Sequence, residues 1–152
     1  MFTKACEYGI RAIVFIAQKS LKGEIANQKM ISEAIESPAA FTAKILQTLV
    51  RHGIIESVFG KAGGFKCHPD RYKEITLHQL VMALDPGFNR DSCVLGLHKC
   101  SEVNPCPAHH GYKTIKYELQ HSLLCITLHD MVEHMDSSKT VLKDKPVMRE
   151  KV

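Results

Sequence analysis

Ser37-Pro38-Ala39-Ala40-Phe41-Thr42-Ala43-Lys44-Ile45-Leu46-Gln47-Thr48-Leu49-Val50-Arg51-His52-Gly53 runs directly into Ile54-Ile55-Glu56-Ser57-Val58-Phe59-Gly60-Lys61-Ala62-Gly63-Gly64-Phe65-Lys66-Cys67-His68. The first stretch reads as a helix. Ser37 is its N-cap and Pro38 its first residue, where a missing N–H costs nothing. Ile45, Leu46, Leu49 and Val50 recur on its inner face, and Gly53 stops it. The second stretch reads as a β-hairpin: two strand-like pieces, 54–59 and 64–68, flank a tip rich in glycine.

Upstream, Asn27 caps a short helix with Met30, Ile31, Ala34 and Ile35 on its inner face, ending at Glu36. Helix, tight turn and helix followed by a basic hairpin predict a winged helix-turn-helix. Before it, Thr3 caps a helix to about Gln18. That helix is apolar around most of its circumference and so is buried on more than one side. After the hairpin, Thr76-Leu77-His78-Gln79 is a capping box that opens a fourth helix.

Residues 86–111 form an irregular, proline- and cysteine-containing loop, of a length that is more often functional than structural. A long helix follows. Its stripe of Ile115, Leu119, Leu123 and Ile126 suits a partner helix in the same chain or in a second copy. Thr127-Leu128-His129-Asp130 opens a short helix to Met135, and the charged residues from 137 onward read as a disordered tail. The expected organisation is mostly α with a small β wing. Residues 1–85 form the DNA-binding domain, 86–111 a cluster loop, 112–136 a dimerisation helix with a short helix after it, and 137–152 the tail.

The net charge of +4 is uneven. Residues 1–74 hold eleven Lys/Arg against seven Asp/Glu, whereas residues 75–152 hold nine of each. A local basic excess fits a polyanion, and a solvated surface is the competing reading. The predicted recognition helix is about 24 Å long, enough to lie in a major groove. Its N-terminal residues face base edges in such motifs. That nominates Ala39, Ala40, Phe41, Ala43 and Lys44, with Thr42 and Gln47 at the margin. Lys61 and Lys66 would bring the hairpin to phosphate or the minor groove. Phe41 and Phe59 read equally well as core residues, and Arg11 as the partner of a carboxylate.

The N-terminus does not open a signal peptide, and the apolar run Ala12 to Ala17 is too short to span a bilayer. The expected protein is soluble and cytoplasmic, with no membrane partner. Six cysteines in such a chain point to metal or redox chemistry rather than disulfides. Cys93-x6-Cys100-x5-Cys106 places three within one loop. The spacing is wider than the short knuckles of a zinc ribbon and suits a cluster several ångströms across. His109 is the nearest fourth ligand. Cys6, Cys67 and Cys125 read as small buried hydrophobes, and His98 and His121 as surface residues.

Together these residues resemble the IscR/NsrR-type (Rrf-type) bacterial regulators over about residues 1–135. Glu7-Tyr8-Gly9-Ile10-Arg11-Ala12 resembles the family's first helix and Ser57 to Phe65 its wing. Cys93, Cys100, Cys106 and His109 resemble its cluster loop, and Ile126-Thr127-Leu128 the end of its dimer helix. The resemblance implies a homodimer on a palindromic operator in double-stranded DNA, and a [2Fe–2S] or [4Fe–4S] cluster. The implied function is a repressor answering iron–sulfur status, nitric oxide or redox state. It implies two candidates for the fourth ligand, His109 or Glu7 of the other subunit. It implies no enzyme, and the chain has neither a C-x-x-C pair nor a nucleotide fingerprint. The sequence departs from the family at Phe59 (usually basic), Ala43 (glutamate in some members), Tyr112 (often tryptophan) and the first cysteine gap. The competing functions are a structural zinc on the same ligands, a cluster-free thiol-responsive regulator, or a thiol redox enzyme.

Overall fold

The computed structural model describes residues 2–88, 93–137 and 140–144. Helix α1 (Lys4–Leu21) starts where the Thr3 hydroxyl accepts the Cys6 amide. Seven of its residues are buried, and it packs against α2 (Gln28–Ile35), α3 (Ala39–Arg51), α4 (Leu77–Leu84) and α6 (Leu128–Ser137). It is the axis of the domain, as its all-round apolar surface predicts. Gly9 lets α4 approach: a Cβ there would stand 2.4 Å from Leu84 Cδ1.

Asn27 caps α2, its side-chain oxygen accepting the Met30 amide at 2.9 Å. The turn into α3 differs from expectation. Ser37 is buried and makes no cap; Pro38 holds the cap position, and the helix begins at Ala39. The chain can turn this tightly because Glu36 adopts the left-handed conformation, with φ 53°. A non-glycine residue there is strained by about 1 kcal/mol or more. Glu36→Gly relieves that strain, and its net gain, reduced by the added freedom of the unfolded chain, is up to about 1 kcal/mol. A raised thermal midpoint with unchanged circular dichroism checks it.

After α3, strands β1 (Glu56–Val58) and β2 (Gly64–Lys66) pair antiparallel with Ser57 opposite Phe65. The wing is tied to the body, since Ala26 and Phe65 exchange both backbone hydrogen bonds. Gly64 permits that approach, because a Cβ there would lie 2.5 Å from the Ala26 carbonyl oxygen. Behind the wing, Tyr72 is buried, and its hydroxyl donates to the Ala17 carbonyl at 2.8 Å.

The Thr76–Gln79 capping box forms as predicted. Thr76 also bridges to Thr127: the Leu77 amide donates to Ile126 at 2.8 Å, and the Leu128 amide to Ile75 at 2.7 Å. The long helix, α5 (His109–Cys125), begins before Gly111, so the cysteine loop ends at Ala108. Its apolar stripe divides. Leu123 is only 2% exposed and belongs to the chain's own core, with Leu119 packed beside it, whereas Ile115 is 61% exposed. The Asp130 carboxylate accepts both the amide and the hydroxyl of Thr127 and so secures the start of α6.

Residues 140–144 fall in the stretch that the composition predicts to be a disordered tail, and they make specific contacts. Leu142 packs on the core, its carbonyl accepts Arg11 Nη1 at 3.2 Å, and Lys143 pairs with Glu36 at 3.6 Å. Arg11 therefore serves a carbonyl and the Tyr8 ring, 4.5 Å away, rather than a carboxylate. Residues 138, 139 and 145–152 of that expected tail lie outside the described residues.

Candidate DNA interface and cysteine centre

On α3 the exposed side chains are Ala39, Ala40, Lys44, Gln47 and Arg51, with Ala43 half-buried beside them. Positions 40, 44, 47 and 51 lie on one stripe at helical spacing, opposite the buried Ile45, Leu46 and Leu49. Two of the nominated residues leave this face. Thr42 is fully buried, its hydroxyl donating to the Pro38 carbonyl, which satisfies it without solvent. Phe41 is half-buried, edge-on to Tyr8 with centroids 5.8 Å apart. Arg51 was not singled out from the sequence, although its spacing from Lys44 and Gln47 carries the signal.

In the wing, Lys61 stands exposed at the tip. Lys66 faces its cross-strand partner Glu56, with an Nζ–Oε2 distance of 3.6 Å that offsets part of its charge. Phe59 is 92% exposed, so it belongs to no core.

The cysteine loop closes over the start of α5. Cys93 is buried, and its thiol is held below its ordinary value, first by the Leu95 amide, then by the Leu97 amide, Cys106 and Lys116. Cys106 is pushed up, first by burial and then by the Cys93 sulfur it touches, with Cys100 adding to it. Cys100 Sγ lies 3.4 Å from His109 Nδ1, and the His109 side chain is 3% exposed. Two sulfur contacts, Cys93 with Cys106 and Cys100 with His109, thus lie beside the start of α5. Among the described residues, no group of three His, Cys, Asp or Glu side chains has the spacing for a single ion.

Glu102 was missed in the sequence. Its Oε2 lies 3.5 Å from His109 Nε2, outside hydrogen-bond geometry, and its Oε1 pairs with Lys113. A carboxylate behind a ligating imidazole orients the ring. Nothing in the loop's spacing distinguishes Glu102 from any exposed acid. Glu7, the other acidic candidate, is on α1 and pairs with Lys4 at 2.7 Å, which holds its carboxyl below the usual range. Within one chain, no hydrogen bond or ion pair among the described residues joins Glu7 to the loop.

The remaining cysteines separate by burial. Cys6 and Cys67 are buried, and burial pushes both thiols up to about 11. Cys125, expected to be buried, is exposed, with its sulfur 3.5 Å from His121 Nε2. His98 and His121 lie at the surface, as expected.

A family model described as Rrf2, iron-dependent transcriptional regulator, matches residues 2–134. The chain belongs to the Rrf2 family. It is a DNA-binding transcriptional regulator, not an enzyme. Among Rrf2 relatives, the regulator NsrR of Bacillus subtilis is 24% identical over 94% of this chain and 97% of its own. The structure of CymR, the global cysteine regulator of B. subtilis, superposes with a TM-score of 0.73 at 16% identity, covering 88% of this chain and 97% of that one. T. potens IscR superposes at 0.69 and 16% identity, covering 93% and 92%. These superpositions establish the Rrf2 fold, including the hairpin wing. Among the described residues, no helix is long and apolar enough to cross a membrane.

Proposed function

We propose that this Rrf2 regulator is a homodimeric repressor whose affinity for a palindromic operator is set by an iron–sulfur cluster on Cys93, Cys100 and Cys106. The carrying observation is the convergence of Cys93 with Cys106 and of Cys100 with His109 at the start of one helix. When bound, the cluster supplies a centre that reacts with oxidants and nitric oxide. The chain's part is to hold it: amides of Leu95 and Leu97 stabilise thiolate at Cys93, and Lys116 lies close enough to act on the same sulfur. His109 is the favoured fourth ligand because it already stands beside Cys100. Glu102 lies against its far nitrogen.

Anaerobic purification tests this. Brown protein containing iron and sulfide is expected. Colourless protein with stoichiometric zinc supports the structural-zinc function, and colourless metal-free protein a thiol-responsive one. His109→Ala is expected to shift the visible spectrum and hasten cluster loss. If only Glu7→Ala does so, the fourth ligand comes from the partner subunit.

For DNA, the α3 stripe enters the major groove, with half-sites about one helical turn, roughly 34 Å, apart. The wing reaches the neighbouring minor groove with Lys61 and Phe59. Exposed phenylalanine at such a tip packs on sugar or wedges between base steps. Lys61→Ala is expected to lower the salt slope of operator binding by about 2 per dimer, because each subunit loses one phosphate contact. Phe59→Ala is expected to cost about tenfold in affinity with the slope unchanged, since apolar burial releases no counterion. Fluorescence anisotropy across a salt series measures both. A Phe59→Ala protein with wild-type affinity would remove this residue from the interface.

A further inference from the structure

A cavity of about 370 Å³ lies between the turn that follows α3 at His52, the Pro69–Arg71 turn and α4. Arg71, His52 and His78 line it, and among the described residues no carboxylate does. Its remaining lining is mainly apolar: Ile54, Ile75 and Met82. Arg71 is a permanent cation that spends Nη1 on the Gly53 carbonyl, at 2.6 Å, which fixes the guanidinium at the cavity edge. His78 is the second residue of α4, at its positive end. Its ring lines the cavity, while its Nε2 is closed off from solvent. Nothing in the DNA-binding stripe or the cysteine centre uses these residues.

We propose that this cavity binds a small organic anion, with its carboxylate on Arg71 and His52 beside the His78 ring, and a short hydrocarbon body against Ile54, Ile75 and Met82. The chemistry defines the class. A fixed cation and two imidazoles without an opposing acid select negative charge. The apolar lining selects against a fully hydrated ion. The cavity is at the small end of ligand sites, which limits the body to a few carbons. Its walls belong to α4 and to the turn that follows the recognition helix: His52 comes directly after Arg51, so a ligand here abuts the C-terminal end of the helix that carries Lys44 and Gln47.

The test uses the full-length protein and follows the ring-proton resonances of His52 and His78 during titration with hexanoate, inorganic phosphate and 1-hexanol. Hexanoate is expected to give saturable shifts at both rings, phosphate weaker ones and 1-hexanol none. Arg71→Gln is expected to weaken hexanoate about tenfold or more, through loss of a charge-assisted hydrogen bond. Arg71 also braces Gly53, so His78→Gln provides a second variant that leaves that contact intact. Absence of saturable shifts with hexanoate, equal binding of 1-hexanol, or undiminished hexanoate binding by both variants overturns the proposal. So does phosphate binding that operator DNA displaces while hexanoate fails to bind, which would make the site a contact for the DNA backbone.

Discussion

Serine at Cys93, Cys100 or Cys106 is expected to abolish the visible absorption of the anaerobically purified protein, and serine at Cys6, Cys67 or Cys125 to leave it intact. The contrast is all or none because the two groups differ in geometry and acidity. Cys93 touches Cys106, and Cys100 touches His109, so removing any of the three opens the ligand set. A serine hydroxyl is far less acidic than a thiol and a poorer partner for iron. Cys6 and Cys67 are held as neutral thiols in the core, both pushed up to about 11 by burial, and cannot substitute as thiolates. Cys125, at the far end of α5, is seventeen residues along the chain from Ala108, where the loop closes. Iron and sulfide analysis alongside the spectrum checks each variant. If all three loop variants retain a full cluster, the sensor reading fails and DNA binding alone survives.

The second large effect separates folding from assembly. Leu123→Asp would place an unpaired carboxylate where the leucine is only 2% exposed. The cost, several kcal/mol, is comparable to the whole stability of a small domain. Loss of the cooperative thermal transition is expected. Ile115→Asp, two turns earlier, replaces a side chain that is 61% exposed within one chain. It is expected to keep the fold but to lose the dimer. Tyr117 and Leu124, at 70% and 49% exposure, are uncovered on the opposite side of α5. Light scattering decides: an Ile115→Asp protein that stays dimeric places the interface elsewhere. Because a palindromic operator, as proposed, would need two recognition helices, a monomer is also expected to lose most of its operator affinity.

Much of this fold was legible because it is written in local chemistry. Asn27, Thr76 and Thr127 each announce a helix start through a side chain that reaches an amide three residues on. The wing is legible in its glycines, and the α3 face in its spacing. What stayed hidden depends on distant contacts. Ser37 reads as a cap, but the left-handed Glu36 sets the turn so that Ser37 sinks instead. Thr42 reads as a groove contact, yet its hydroxyl is satisfied by Pro38 and so can face the core. The ordering of 140–144 rests on Arg11 and Glu36, more than a hundred residues away in sequence. Three cysteines in one loop were visible from their spacing, whereas Glu102 required the folded loop to be seen.

The bridge between Thr76 and Thr127 has a mechanical consequence. Residues 77–126 leave and rejoin the domain at one point, closed by the two hydrogen bonds flanking that bridge. The segment is a circuit with its ends clamped together, so a pull inside it is taken up at the clamp and is not handed along the backbone toward the wing. Within that circuit α4 rests on α1 and α3. At Gly9, α1 has no side chain to cushion Leu84. A bulkier residue there would press α4 away from α1 without touching either the DNA face or a single sulfur.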